Sequence, residues 1–387
     1  MNEPVRAVVM NGPGDVEVRR FPLPRPEPGA VLMRVTLSGI CGTDGHTFRG
    51  ETSQYAGTEH AREVPFPLIC GHENVGVVVE TGGEVLAEDG DPLEPGERIV
   101  PGANVTCGAC PACRAGLRYY LCERLQDYGN SFSCAAPPHL FGGWAEYLYL
   151  LPGSRIFRVP DAVPDHVAVL TEPMAVTHGV DTAVALLRRG GSRGPLRAAV
   201  IGVGPLGMCH LLKAASFGAE ELVAIDRLPG RLDAARSLGA TLTLDASVTD
   251  PADRRAAAWA AMGGVGPDLV VDCSGSAATL PEALRLVRPG GLVVEAGAFV
   301  DVGAVEINPA ADLCVRDVTL IGVGGERAED YPAALALMAS SGLGFDRVVT
   351  HRFPLEDARA AIDQVRREEA IKVVFEPSRR DHEAGAV

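Results

Sequence analysis

Lysine is almost missing from this chain. Only Lys213 and Lys372 occur among 35 basic side chains, so arginine carries nearly all of the positive charge. We read that scarcity as a compositional bias of the genome rather than as a functional mark. No basic tract offsets the 50 acidic residues, and the formal net charge is −15. Binding a phosphate backbone needs clustered positive charge, so nucleic acid is not an expected partner and the acidic surplus is assigned to solubility. No apolar run approaches the roughly 20 residues of a membrane span, so no membrane association is expected. The opening MNEPVRAVVMNGPG lacks a basic region followed by an apolar one. No export signal is read there, and a cytoplasmic location is expected.

At 387 residues the chain is too long for one ordinary core, and two domains are expected. It has ten cysteines, but a reducing compartment does not keep disulfides. Clustered cysteines then point to metal and scattered ones to packing. Both kinds occur. Cys134, Cys209, Cys273 and Cys314 stand alone and are read as core or loop residues.

The first ~170 residues read as mostly β, with short apolar runs such as VLMRVTLSGI (31–40) between dense Gly/Pro punctuation. From about 198 the character changes. AAVIG (198–202), ELVAID (221–226), TLTLDA, DLVVDCSG and GLVVEAG read as strands. Helical stretches alternate with them, including PGRLDAARSLGA, with Pro229 near its start and Gly239 past its end. Alternating strands and helices predict an α/β fold with a doubly wound parallel sheet. After ~318 a short β/α tail ends in IKVVFEP (371–377).

Within that alternation, VIGVGPLG places Gly202, Gly204 and Gly207 in G-x-G-x-x-G spacing around Pro205 and Leu206, after a strand and opening a helix. That context turns a weak pattern into a dinucleotide site. Its glycines permit the tight turn, let the backbone approach a pyrophosphate, and allow close helix–strand packing, while the helix N-terminus offers amides to the phosphates. Asp226 ends the second strand, where a carboxylate accepts hydrogen bonds from the adenosine ribose and repels a 2′-phosphate. Arg227 and Arg231 stand close enough in sequence to cover a 2′-phosphate, so NADP stays open, with NAD favoured.

CGACPACRAGLRYYLC holds Cys107, Cys110, Cys113 and Cys122. Three cysteines at steps of three and a fourth shortly after make a tetrathiolate cage of the structural zinc type. Structural zinc in peptides contributes about 10–16 kcal/mol, so a polar, turn-rich lobe with no core of its own should unfold without it. A saturated cage has no open position and is given no catalytic role.

A second group of candidate ligands is split between two segments. GICGTDGHTFRG (39–50) has Cys41, Thr43, Asp44 and His46, and LICGHENVG (68–76) has Cys70, His72, Glu73 and Asn74. With the cysteine lobe, the later glycine-rich loop, GGWAEY (142–147) and the closing IKVVFEP, the chain resembles the zinc-dependent medium-chain alcohol dehydrogenase family over nearly its whole length.

The resemblance implies a GroES-like, β-rich catalytic domain built from both ends of the chain (1–176 and 318–387), with a Rossmann domain (177–317) between them. It also implies a second, catalytic zinc in the cleft. Cys41 and His72 match two of its ligands, Asp44 the carboxylate that orients the ligand histidine, and Thr43 and His46 the proton relay through the cofactor ribose. Members acting on simple alcohols have a cysteine where this chain reads LTEPMAVTHG (170–179), which offers Glu172. That Glu-Pro pair resembles the polyol, sugar and threonine dehydrogenases, in which either Glu73 or Glu172 would complete the metal site. Cys70 matches no ligand position and is read as packing, and His178 as packing or a substrate contact. The segments 51–67 and 124–141 are longer than is usual in the family and would border the substrate cleft.

The expected activity is zinc-dependent oxidation of a polar secondary alcohol (polyol, sugar derivative or cyclitol) to its ketone with NAD, by a homodimer or homotetramer. A threonine 3-dehydrogenase-like enzyme is the named alternative. From another class, a zinc-stabilised NAD-binding protein without turnover would have no need of Thr43, Asp44 and His46.

Overall fold

The computed structural model describes residues 4–379. Its N-terminal region is built on a seven-stranded sheet in which Val31–Gly39 is central and pairs antiparallel with Asn74–Thr81. The last strand among the described residues, Lys372–Phe375, pairs with the other side of Val31–Gly39, opposing Val374 to Gly39 and Phe375 to Ser38. Both ends of the sequence therefore share one sheet. Its alternating apolar side chains bury one core around Met33, Leu68, Trp144 and Phe375.

The second region is a six-stranded parallel sheet. Its order across the sheet is Leu242–Asp245, Ala219–Asp226, Leu196–Ile201, Leu269–Asp272, Leu292–Glu295 and Thr319–Gly322. This is the 3-2-1-4-5-6 order of a doubly wound nucleotide fold, with its crevice at the switch between the first and fourth strands. The sheet core reads as continuous apolar runs because helices cover both faces. The α/β class and the pairing of a β-rich domain with a Rossmann domain are as the sequence predicted.

One boundary differs. Thr319–Gly322 pairs in parallel with Leu292–Glu295 as the sixth strand, so the nucleotide sheet runs past the division expected at 317. This edge strand has largely exposed side chains and lacks the apolar run that marks its neighbours. Beyond it, Asp330–Ser340 packs on the short helix Thr171–Val176, which also packs on Pro205–Ser216. That stack fixes Glu172 at the seam between the two domains. Among the described residues no helix is long and apolar enough to cross a membrane.

Candidate active site

Strand Val31–Gly39 delivers the chain to Cys41, which caps the short helix Gly42–Phe48. The backbone N–H of Cys41 donates to Asp44 Oδ2 at 2.8 Å, and this reciprocal cap fixes both residues. Thr43 and His46 follow one helical turn apart on the same face and both line the cleft. The Cys41 thiol lies 3.7 Å from Thr43 Oγ1, and His46 Nδ1 lies 2.5 Å from Glu51 Oε2.

His72 and Glu73 precede strand Asn74–Thr81. Gly71 turns the chain into them at φ 98°, where a Cβ would stand 2.5 Å from Trp144 Cδ1, so only glycine fits. Asn74 holds the loop from behind. Its Oδ1 accepts from Ser38 Oγ at 2.7 Å and its Nδ2 donates to Gly71 O at 3.1 Å.

Ligand atoms of Cys41, His72 and Glu73 all lie within 4.8 Å of one another. Asp44 Oδ1 stands 3.9 Å from His72 Nδ1, beyond hydrogen-bonding distance, and neither atom has another hydrogen-bond partner. Burial pushes the His72 pKa down, but Cys41, Asp44 and Glu172 around it outweigh that and hold it well above the ordinary histidine value. A compact cluster of a half-buried thiol with a buried imidazole and carboxyl and this anionic surplus is matched to a divalent cation. Three protein donors would leave a fourth position open for substrate.

Glu73 is also ion-paired with Lys372, and both are buried. Lys372 Nζ donates to Ile40 O at 3.1 Å as well. Burial alone would lower the lysine's pKa, yet Glu73 and Cys41 raise it above its usual value.

Glu172 lies outside the compact triplet. It is near enough to His72 to raise that residue's pKa, and it stands beside a second buried carboxyl, Glu326. Burial, then Glu326, push Glu172 well above the usual carboxylate range.

The four-cysteine cluster forms as its spacing predicts. All four sulfurs lie within 4.8 Å of one another, and the amides of Cys107, Cys110 and Cys113 each donate to a cluster sulfur at 3.4 Å. Amide donation from Ala109 and Cys110 brings Cys107 down to about 6, the behaviour of a thiol prepared to bind metal as thiolate. Two further residues of this lobe, Tyr119 and Tyr120, turn toward the cleft.

At the other end of the cleft lies the glycine-rich loop. Gly202 turns at φ 79°, and a Cβ there would sit 2.5 Å from Ser274 Cα. Gly204 caps helix Pro205–Ser216, with Pro205, Leu206 and Gly207 facing the cleft. Asp226 is held by three amides: Oδ2 accepts from Val203 N at 2.9 Å, and Oδ1 from Arg227 N at 2.7 Å and Leu228 N at 3.0 Å. Arg231 reaches back over Gly204, its Nη1 3.4 Å from where a Cβ would be. One continuous cleft of about 2000 Å³ joins this loop to Cys41 and His72, larger than the roughly 300–1,000 Å³ of an ordinary ligand pocket.

Comparison with known proteins places these features. The alcohol dehydrogenase GroES-like domain matches residues 27–161, and the zinc-binding dehydrogenase domain matches residues 205–340. The 5-exo-hydroxycamphor dehydrogenase of Pseudomonas putida is 32% identical over 380 residues, covering 96% of this chain and 98% of that protein. Human sorbitol dehydrogenase is 30% identical over 370 residues, covering 95% of each. An alcohol dehydrogenase structure from Thermotoga maritima superposes with a TM-score of 0.86 at 28% identity, over 97% of this chain and all of that one.

The chain belongs to the zinc-dependent medium-chain alcohol dehydrogenase family. This medium-chain dehydrogenase is an oxidoreductase of the polyol-type branch, acts on a CH–OH group of a small-molecule alcohol, and works with zinc and a nicotinamide cofactor. Its structure brings Cys41, His72 and Glu73 together and holds Glu172 one layer away.

His178 does not itself line the cleft; it is buried behind it, with its Nε2 3.1 Å from Gly325 O of the cleft wall. Cys70 is buried, and burial raises its thiol pKa well above normal, as suits a packing residue. Gln54, Tyr55, Asp127 and Asn130 from the two long segments do border the dehydrogenase's cleft. Sequence reasoning missed Lys372 and Glu326. The first had a usable signal, a lysine kept inside an apolar strand of a lysine-poor chain, and the second had none.

Proposed function

We propose that this dehydrogenase oxidises a secondary alcohol with several hydroxyl groups to its ketone, reversibly, with NAD. The observation that carries the reading is the compact Cys41, His72 and Glu73 triplet, which lines the cleft that leads to the glycine-rich loop. Cys41, His72 and Glu73 would hold the catalytic zinc, and Cys107, Cys110, Cys113 and Cys122 a structural one, giving two ions per chain.

Zinc held at the first site would supply Lewis-acid polarisation of the alcohol oxygen, and a bound NAD would supply the hydride acceptor. Thr43 Oγ1 would accept the proton from that oxygen while giving up its own to the cofactor ribose, from which His46 would pass a proton to solvent. Glu51, whose Oε2 lies 2.5 Å from His46 Nδ1, holds the imidazole in place. The Asp44 carboxylate, 3.9 Å from His72 Nδ1, would favour a proton on that nitrogen and so leave the other for the metal. Gly202, Gly204 and Gly207 bring backbone amides to the pyrophosphate, and Asp226 meets the ribose diol and opposes a 2′-phosphate. The catalytic domain is assigned to 1–176 and the chain from about 323 onward, with the nucleotide domain between them.

A polar substrate is supported by Glu172, Glu326 and Asp127 on the cleft wall and by the sorbitol dehydrogenase relatives. A second reading, a less polar cyclic alcohol, has the hydroxycamphor dehydrogenase relative and the aromatic wall of Tyr55, Tyr120 and Phe299 behind it. NADH formation from a panel of polyols, cyclitols, cyclohexanol and threonine decides between them. Metal analysis should find two zincs per chain. Full turnover by Cys41→Ser would sink the zinc assignment.

A further inference from the structure

Away from the reacting end, the cleft wall has a polar cluster that no step above uses. Asn104 and Asp127 face each other across the short antiparallel pair Asn104–Val105 and Gln126–Asp127, which puts their side chains on one face. Asn104 Nδ2 donates to Glu326, and the Tyr119 hydroxyl and the Glu172 carboxyl stand within hydrogen-bonding reach of the same carboxyl. Glu326 is fixed from its own backbone too. His178 meets Gly325 O, and a Cβ on Gly324 would lie 3.1 Å from the Tyr120 ring.

Two atoms in this wall have no partner. Asp127 Oδ1 is an acceptor and Gln54 Nε2 a donor; their residues are 4% and 5% exposed, and both line the cleft. Leaving a buried polar group unsatisfied costs about 1–3 kcal/mol, so each atom is a position for a polar ligand group. The chemistry of that group is constrained. A carboxylate would meet Glu326, Glu172 and Asp127, an ammonium can donate but not accept, and a hydroxyl does both.

The geometry points to Glu326, Asp127 and Gln54 as the subsite that reads hydroxyl groups of the substrate beyond the reacting carbinol. This rests on the reading that Cys41 and His72 mark the reacting end. Glu326 is then a specificity-determining residue, tied to that end through Glu172.

The test uses the full-length, zinc-loaded enzyme and its Glu326→Gln, Asp127→Asn and Gln54→Ala variants. Sorbitol, xylitol and myo-inositol are compared with 2-hexanol and cyclohexanol by kcat/KM. Binding of the same polyols to the enzyme–NADH complex is measured by titration calorimetry, and NADH fluorescence reports that each variant retains a folded cofactor site. Glu326→Gln and Asp127→Asn should each lower the polyol-to-monohydric preference on the order of tenfold, with polyol binding weakened to match.

An unchanged preference, or equal losses on both substrate classes, would overturn the subsite. So would tighter binding of 1-amino-1-deoxysorbitol than of sorbitol, which would mark a cation site. Should the wild type reduce NAD with none of these alcohols, the proposed activity fails. The calorimetric affinities then still decide the subsite.

Discussion

At the scale of single residues, the most informative side chain is Lys372. It is 1% exposed and ion-paired with a Glu73 that is 2% exposed, so removing either partner strands a buried charge. Lys372→Met should lower stability by about 3–5 kcal/mol in denaturant titration, while the double variant with Glu73→Gln recovers much of that loss. Equal losses in the single and the double variant would deny the coupling. The sequence could not announce this pair, because IKVVFEP reads as an apolar strand and its partner lies 299 positions earlier. His210 offers a pH test in the other domain. Burial brings it down to about 4, so it stays neutral in the fold while the unfolded chain titrates near 6.5. A depressed histidine contributes stability that is complete above 6.5 and is lost as pH falls toward 4. By pH 5 the nucleotide domain should have lost about 2 kcal/mol relative to pH 8 from this group. His210→Gln should remove that part of the slope in urea midpoints measured at the two pH values.

Individual elements were legible where local chemistry and hydrophobic pattern agreed. Helix Pro205–Ser216 begins at the proline and follows the glycine-rich turn, and the cysteine lobe forms from spacing alone. The edge strand Thr319–Gly322 was missed because exposed side chains give it no hydrophobic signal, its place being set by ladder bonds to Leu292–Glu295. The choice between Glu73 and Glu172 was also beyond the sequence, since it depends on how two domains meet. The lobe shows how one element reaches function without touching the reacting atoms. Its Tyr119 and Tyr120 rings lie 5.5 Å apart against Gly324 and Gly325, the segment that carries Glu326. Cys110→Ser, by opening the zinc cage, should therefore raise polyol KM severalfold as well as lower the thermal midpoint. A stability loss with KM unchanged would show the lobe to be uncoupled from the cleft.

For the molecule as a whole, the decisive arrangement is a cleft whose two ends belong to different sheets. The catalytic sheet takes in Lys372–Phe375, between Val31–Gly39 and Val349–Phe353, and the nucleotide sheet ends its second strand at Asp226. Cofactor choice is set at that far end. Asp226 is anchored by three amides, including Val203 N from the glycine-rich loop itself, so its carboxylate orders the loop, and on the proposed reading it also repels a 2′-phosphate. Those two roles can be separated. Asp226→Asn removes the charge and keeps one oxygen, which can serve Val203 N while its NH2 faces the Arg227 and Leu228 amides, whereas Asp226→Gly removes the charge and every acceptor. With Arg231 already placed over Gly204, the asparagine variant should raise kcat/KM for NADP relative to NAD at least tenfold while losing little of its NAD activity. The glycine variant should lose activity with both cofactors as the loop loosens. If Asp226→Asn left the NAD-to-NADP ratio where it was, the carboxylate would not be the selecting group, and the preference would have to be sought in Arg227 and Arg231.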